Sequence, residues 1–362
     1  MASTPRRRTR ARPTLKDVAL AVGVNVSTVS RALDPDCAHP VSAALRDRIR
    51  KASARLGYVR NAAASALRTS RSRTVGVIVP DITDPAYPPI IRGIEDALAR
   101  HGYVAILANT DGDARRQQRI VETMRARAVD GLILATVARE DLGVGRLAEG
   151  TPVVTVVRAC ENPRFASVVH DEEDGMRRIL AHLVSCGHRQ VAAIAGPQWL
   201  STGFRRYRAF ELHRKRLGIG RTRPNAIFAN AFNESEGERC AEELIARGHR
   251  FTAVVCANDR LAVGAIAALR RRGLRCPEDI SVTGYNDMPL ADRLLPALTT
   301  VRVQHYKGGH ESAELIVALM RGAQLARHVV LPVEIVIRAS TRRNATLGLP
   351  RPKPRAALKR SA

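Results

Sequence analysis

The sequence predicts an α/β protein in two parts: an N-terminal three-helix unit with helix-turn-helix spacing, then a two-lobed core built on parallel sheets. Three observations carry that expectation. Apolar residues recur at helical spacing between residues 14 and 56, and from residue 74 they give way to short β-branched runs. Those runs alternate with amphipathic stretches long enough for helices, the order that makes parallel sheets covered on both faces. Roughly 270 residues follow this pattern, too many for one comfortable sheet, so two lobes with a cleft between them are expected.

Each element has a local cause. Thr14 followed by Asp17 is a capping-box-like start, and Leu15, Val18, Ala19 and Val22 form a helical stripe that Gly23 ends. Asn25 can cap a second helix over Val26–Leu33, with Val29, Ala32 and Leu33 inward and Val26, Ser27, Thr28 and Arg31 outside. A third runs from Ser42 to Leu56, with Leu45, Ile49, Ala52 and Leu56 inward and Gly57 just past its end. Strands are expected at Val75–Val79, Val104–Leu107, Gly131–Leu134, Val153–Val157, Val191–Ile194, Ala253–Cys256 and Ile280–Thr283. Helices such as Tyr87–Arg100, Ala114–Ala128, Asp174–Cys186 and Arg260–Arg272 fall between them. In sheets of this kind ligands sit beyond the carboxyl ends of the strands.

Charge separates the two parts. The whole chain of 362 residues carries +25, and residues 1–73 alone hold sixteen Lys or Arg against four Asp, a net of +12. Scarcity of acids at that end points to a polyanion partner. The second helix of the three-helix unit leaves its N-terminal face open, where side chains can reach base edges in a major groove. Arg31 suits a bidentate contact to guanine, Ser27 a bond to either partner, and Val26 a thymine methyl. The six cysteines are scattered without metal-site spacing, so they read as reduced thiols of a cytosolic protein, and no apolar run is long enough to span a membrane. The stretch after Arg6-Arg7-Arg8 lacks the apolar core of a secretory signal, so export is not expected.

The ordered motifs Thr14-Leu-Lys-Asp-Val-Ala19, Gly23-Val24, Ser27-Thr-Val-Ser-Arg31 and Leu56-Gly-Tyr58 with Asn61 resemble the N-terminal signature of the lactose-repressor/galactose-repressor family of bacterial transcription regulators. The resemblance continues through Val75-Gly-Val-Ile-Val-Pro80, Gly187-His188, Cys256-Ala-Asn-Asp259, Asp279-Ile-Ser-Val-Thr-Gly-Tyr285, Leu298-Thr-Thr300 and Leu331-Pro-Val, and so covers residues 14 to about 343. It implies a helix-turn-helix domain over 14–60, a hinge helix and linker over 61–73, and a type I periplasmic-binding-protein-like core over 74–343. Within that core the N-lobe would span about 74–169 and 299–328, and the C-lobe about 170–298 and 329–343. Residues 1–13 and 344–362 read as disordered basic arms.

DNA contacts carried over from the resemblance fall on Lys16, Val26, Ser27, Thr28, Arg31, Asn61, Leu67 and Arg68, with Leu67 at the position that wedges into the minor groove. Two departures stand in the hinge: Arg60 replaces a proline and Ser65 an arginine-type residue. Effector contacts carry over onto Tyr87 and Phe232 as flanking aromatics and onto Arg206 and Asn258 as a polar clamp. Asn286 stands where sugar-binding relatives often have aspartate, while Val157 and Val303 replace polar residues, which argues against a free sugar. Trp199 and Thr202 are further candidates on the loop after Ala195-Gly-Pro197. Taken singly, Tyr87 and Phe232 are ordinary core residues and Arg206 an ordinary ion-pairing one; their place in the pattern is what assigns them.

No Walker A, dinucleotide, zinc-protease or nucleophile-elbow motif is present, and Asp259 and Asp287 each follow an asparagine where capping is the commoner role. The expectation is therefore a cytoplasmic, nucleoid-associated, homodimeric regulator, most simply a repressor, rather than an enzyme. Its partners would be a near-palindromic double-stranded operator and a small effector, with a sugar or sugar derivative as the candidate class, and without cofactor, metal or membrane. A transport solute-binding protein and a sugar-modifying enzyme carrying a DNA-binding tag are the rival readings. The first would require export, and the second would show activity on phosphosugars.

Overall fold

The computed structural model describes residues 13–33, 41–59, 71–140, 143, 149–161, 165–219, 225–248, 250–323 and 328–344. The chain divides into two compact units, residues 1–72 and 73–362. The expected hinge positions Asn61, Leu67 and Arg68 lie outside the described residues, as do all but Pro13 of the expected arm and all but Asn344 of the tail.

The first unit contains α1 (Leu15–Val22), α2 (Val26–Ala32) and α3 (Ala43–Leu56). Asp17 accepts hydrogen bonds from the Thr14 backbone N–H (2.7 Å) and hydroxyl (2.8 Å), and these hold its carboxyl below the usual carboxylate range. Gly23 takes φ 72°, a left-handed turn that lets its N–H and that of Val24 close on the Ala19 carbonyl. The Asn25 side chain accepts from the Ser27 N–H at 2.9 Å and starts α2. Val18, Ala19, Val22, Val29, Ala32, Ile49 and Ala52 form the core of this unit. Ser27, Arg31 and Lys16 are exposed, but the expectation that Val26 and Thr28 stand outside needs correction: both are half-buried. Val26 lies three residues before buried Val29, on the same helix face, and packs against the core.

The second unit opens with β1 (Thr74–Val79), α4 (Tyr87–Arg100), β2 (Val104–Asn109), α5 (Ala114–Ala126), β3 (Gly131–Leu134), β4 (Val153–Val156) and β5 (Ala166–His170). It continues through α6 (Glu172–Ser185), β6 (Val191–Ala195), α7 (Ser201–Arg216), β7 (Ala226–Phe228), α8 (Glu234–Ala246), β8 (Ala253–Cys256), α9 (Asp259–Arg271) and β9 (Ser281–Thr283). It closes with β10 (Thr300–Arg302), α10 (His305–Met320), β11 (His328–Leu331) and β12 (Glu334–Val336).

Two parallel sheets result, one ordered β11-β5-β4-β3-β1-β2 and the other β7-β6-β8-β9, with an antiparallel β10-β12 ladder beside the second. Alternation along each strand feeds a core on both faces. In β1, Val75, Val77 and Val79 pack under α4 and α10, while Ile78 faces the opposite core with α5. In β6, Ala192 and Ile194 meet α8 and α9, while Val191 and Ala193 meet α6 and α7.

The helices α4 and α10 approach so closely that a Cβ on Gly93 would stand 2.1 Å from the Tyr306 carbonyl oxygen, and one on Gly309 2.0 Å from that of Ile90. The lobe limits differ from those expected. β11 pairs with β5, so residues 328–331 complete the first lobe, whereas β10 at 300–302 bridges to the second. The chain therefore passes between lobes after β5, between β10 and α10, and between β11 and β12.

Candidate functional site

Strand ends of both sheets converge on one cleft of about 500 Å³, open solvent included. The first lobe supplies Asp84, Ala86, Tyr87, Ile90, Val157, Arg158 and His170, with His305 at the start of α10; the second supplies Thr202, Arg206, Phe232, Asn258 and Asn286; Val303 lies at the crossing. Six sequence-expected residues, Tyr87, Thr202, Arg206, Phe232, Asn258 and Asn286, thus meet in one place. Trp199 does not: it is 53% exposed and is not among the lining residues. Its neighbour Leu200 takes the buried position just before α7, which leaves the indole outside, while the Trp199 backbone carbonyl accepts from the Arg139 N–H.

Arg206 is a buried hub. Its Nε and Nη2 donate to Glu172 Oε2 and Oε1, its Nη1 to the Ala257 carbonyl at 2.6 Å, and Nη2 also to Asn286 Oδ1 at 3.3 Å. The guanidinium lies 3.8 Å above the Tyr285 ring. Asn258 is likewise partly committed, because its Oδ1 caps α9 through the Leu261 N–H at 2.8 Å; its amide nitrogen makes no hydrogen bond among the described residues. Asn286 adopts φ 119°, outside the common regions for an L-residue, with its N–H held by the Val301 carbonyl.

Four cleft residues carry no local signal in the sequence: Asp84, Arg158, His170 and His305. Burial first, and the nearby Arg206 charge second, pull the His170 imidazole down to about 4; burial and then His170 bring His305 down to about 4 as well. Both rings are therefore neutral at pH 7. Burial pushes the Asp84 carboxyl up, against the Ala86 N–H and Arg260. Each of the four gains its role only where distant strand ends meet.

The lobes also touch around the cleft. Arg260 of α9 donates to Glu234 at 2.8 Å and reaches Asp81 and Asp84 of the first lobe at 3.6 Å each. The Ala159 N–H donates to Ser201 Oγ at 2.9 Å. Asp259, brought up to about 6 by burial, accepts from Thr300 Oγ1 and the Met288 N–H, and Asp287 pairs with Arg302 and Arg338. Both acids brace the loop that follows β9.

Residues 14–61 match the bacterial regulatory proteins of the lacI family, and residues 180–341 a periplasmic binding protein-like domain. The HTH-type transcriptional repressor CytR of Escherichia coli (strain K12) is 31% identical over 332 residues, which cover 91% of this chain and 96% of CytR. The chain belongs to the lacI family. The ribose operon repressor of Bacillus subtilis (strain 168) is 32% identical over 335 residues, 91% of this chain and 99% of that protein. Among solved structures, the lac repressor dimer bound to operator and the anti-inducer ONPF superposes with a TM-score of 0.81 at 28% identity, covering 92% of this chain and all of that one. The complex of the transcriptional regulator CelR with cellobiose gives 0.70 at 29%, covering 91% and 100%. As a lacI-family member the protein is a DNA-binding transcriptional regulator with a two-lobed, periplasmic-binding-like core. No described helix is long and apolar enough to cross a membrane.

Proposed function

We propose that this lacI-family chain acts in the cytoplasm as a homodimeric repressor of a near-palindromic operator, controlled by a small effector in the interlobe cleft. The observation that carries the reading is the cleft itself. Its lining comes from both lobes at the strand ends, in a chain whose first unit exposes Ser27 and Arg31 on a capped second helix. Arg31 and Ser27 would read base edges, Lys16 and Arg68 would hold phosphates, and paired Leu67 side chains would open the minor groove between half-sites. Val26 and Thr28, half-buried, would offer less surface to the bases.

A ligand bridging Tyr87 and His170 on one side with Phe232 and Asn258 on the other favours the lobe arrangement it binds best, and only that difference in affinity shifts operator occupancy. Asp259 and Asp287 are engaged in bracing, and the relatives are repressors, so a binding role rather than catalysis fits the cleft.

Selection of bound fragments from genomic DNA by the full-length protein at physiological salt tests this. A recurrent inverted repeat is expected, with Arg31→Ala lowering affinity for it by about 1–3 kcal/mol. Enrichment without a shared palindrome, or an Arg31→Ala variant equal to wild type on every fragment, would overturn it.

A further inference from the structure

Two arginines line the cleft, and the protein treats them differently. Arg206 is fully answered by Glu172 and the Ala257 carbonyl. Arg158 is nine-tenths buried, yet among the described residues its guanidinium makes no hydrogen bond or ion pair. Asp84, on the same wall, feels the Arg158 charge without coming within ion-pair distance. Its oxygens are turned to the Ala86 N–H at 2.9 Å and to Arg260 at 3.6 Å. An unpaired cation this little exposed, on the wall of the cleft, is placed for something that enters the cleft to complete the pair.

The backbone supports the same assignment. Val157 has φ 68°, an outlier for a β-branched side chain, and the Arg158 N–H closes on the Val156 carbonyl at 2.7 Å. This is the rarer, strained form of the three-residue turn, pinned by the Val157 N–H on the Val168 carbonyl at 3.0 Å. It ends β4 one residue earlier than the apolar run allows and sets Arg158 at the cleft.

Facing the cleft from β5 and α10 are two imidazoles, 6.3 Å apart and edge to face. His170 Nε2 and both ring nitrogens of His305 are buried short of any well-formed hydrogen bond, with the Gln304 backbone beside the first ring and the Asn286 backbone beside the second. A neutral imidazole presents one donor and one acceptor, the complement of a hydroxyl group.

We propose that the effector is a small hydroxylated oxyanion, an organic carboxylate or a phosphate monoester on a polyol frame, whose anionic group sits on Arg158 and whose hydroxyls meet His170, His305 and Asn258. A planar guanidinium is suited to two parallel bonds with either oxyanion, and Tyr87 and Phe232 supply apolar faces for the carbon frame. The assignment rests on the reading of this cleft as the effector site.

Calorimetric titration of the full-length protein with glucuronate, glucose, ribose 5-phosphate and ribose tests it, and the first and third probes separate carboxylate from phosphate. At least one anion is expected to bind about tenfold or more tighter than its neutral parent, with Arg158→Gln losing that advantage and Arg158→Lys keeping part of it. Thermal melting without ligand gives a second readout. Because Arg158→Gln removes a charge that no described residue pairs with, its melting temperature should equal or exceed that of wild type.

The assignment is overturned if a neutral parent binds as well as its anion, if Arg158→Gln leaves anion binding intact, if neither anion binds below about 10 mM, or if ligand-free Arg158→Gln melts lower than wild type. Operator binding by the same preparations is scored separately. A protein that binds an inverted repeat but prefers a neutral ligand retains its regulatory reading and loses only the anion assignment.

Discussion

The guanidinium of Arg206 meets the carboxylate of Glu172 edge to edge, Nε to Oε2 at 2.6 Å and Nη2 to Oε1 at 3.1 Å, with side chains only 4% and 5% exposed. Burial works against the arginine's charge, and Glu172 more than offsets it. Removing the acid leaves a cation stranded in the interior, so Glu172→Ala should destabilise the core by about 3–5 kcal/mol. Urea unfolding followed by tryptophan fluorescence from Trp199 and by circular dichroism measures this; a loss under about 1 kcal/mol would show that the Arg206 carbonyl contact suffices.

Arg260 ties the lobes through Asp81 and Asp84 while anchored to Glu234. These pairs are partly exposed, so their combined contribution to closure is on the order of 1 kcal/mol. Arg260→Gln should widen the cleft, raise the radius of gyration in small-angle scattering and weaken effector binding about fivefold. Identical scattering curves would show that the Ala159 to Ser201 and Arg139 to Trp199 bonds hold closure without it.

Acid should weaken the core through its cleft histidines. His170 and His305 have folded-state values of about 4 against an ordinary 6.5, so the unfolded chain binds more protons between those limits. Stability they leave untouched above pH 6.5 is therefore lost as pH falls toward 4, by on the order of 3 kcal/mol for each ring. Asp259, raised to about 6, has the opposite slope over part of this range. The difference between wild type and a His170→Asn/His305→Asn double variant isolates the histidine part. Parallel melting-temperature profiles for the two proteins would refute it.

The packing of α4 on α10 admits no side chain at its closest points. Gly93→Ala and Gly309→Ala each press a methyl onto a backbone carbonyl, and each should cost about 3 kcal/mol. Since Ile90 and His305 lie on these helices, both variants should also bind effector less well than their stability loss alone explains. A melting temperature unchanged within a degree or two would show that the helices slide apart freely.

Much of the first unit was legible because its determinants are local: Thr14 with Asp17, Asn25 with Ser27, and Gly23 all act within a few residues. The strand runs around Val77 and Val154 were legible for the same reason, since β-branched residues fill both faces of a covered sheet. α7 is harder to read: Arg206, His213 and Arg214 occupy buried positions where a helix ordinarily shows apolar residues. The cleft was half legible. Tyr87, Arg206, Phe232, Asn258 and Asn286 came from position within a known pattern, but Arg158 lies just past β4 and His170 ends β5, at strand limits the sequence does not mark. Trp199 misled because an aromatic beside a strand end serves a ligand only if the chain turns it inward, and here Leu200 has that place.

The pairing of β11 with β5 also sets the order in which the chain can mature as it leaves the ribosome. Leu331 and the α10 residues Ala313, Ile316 and Val317 belong to the same cluster as Val75 and Ile94, so the first lobe waits for residues made after most of the second. Until then β5 presents an unpaired apolar edge, the kind of surface that recruits other chains. The second lobe, largely contiguous from Glu172 to Arg302, still lacks β12 and the buried Ser340 at that stage, but its four-stranded sheet is already complete, so a chain ending before His305 would carry one nearly closed half beside an aggregation-prone one.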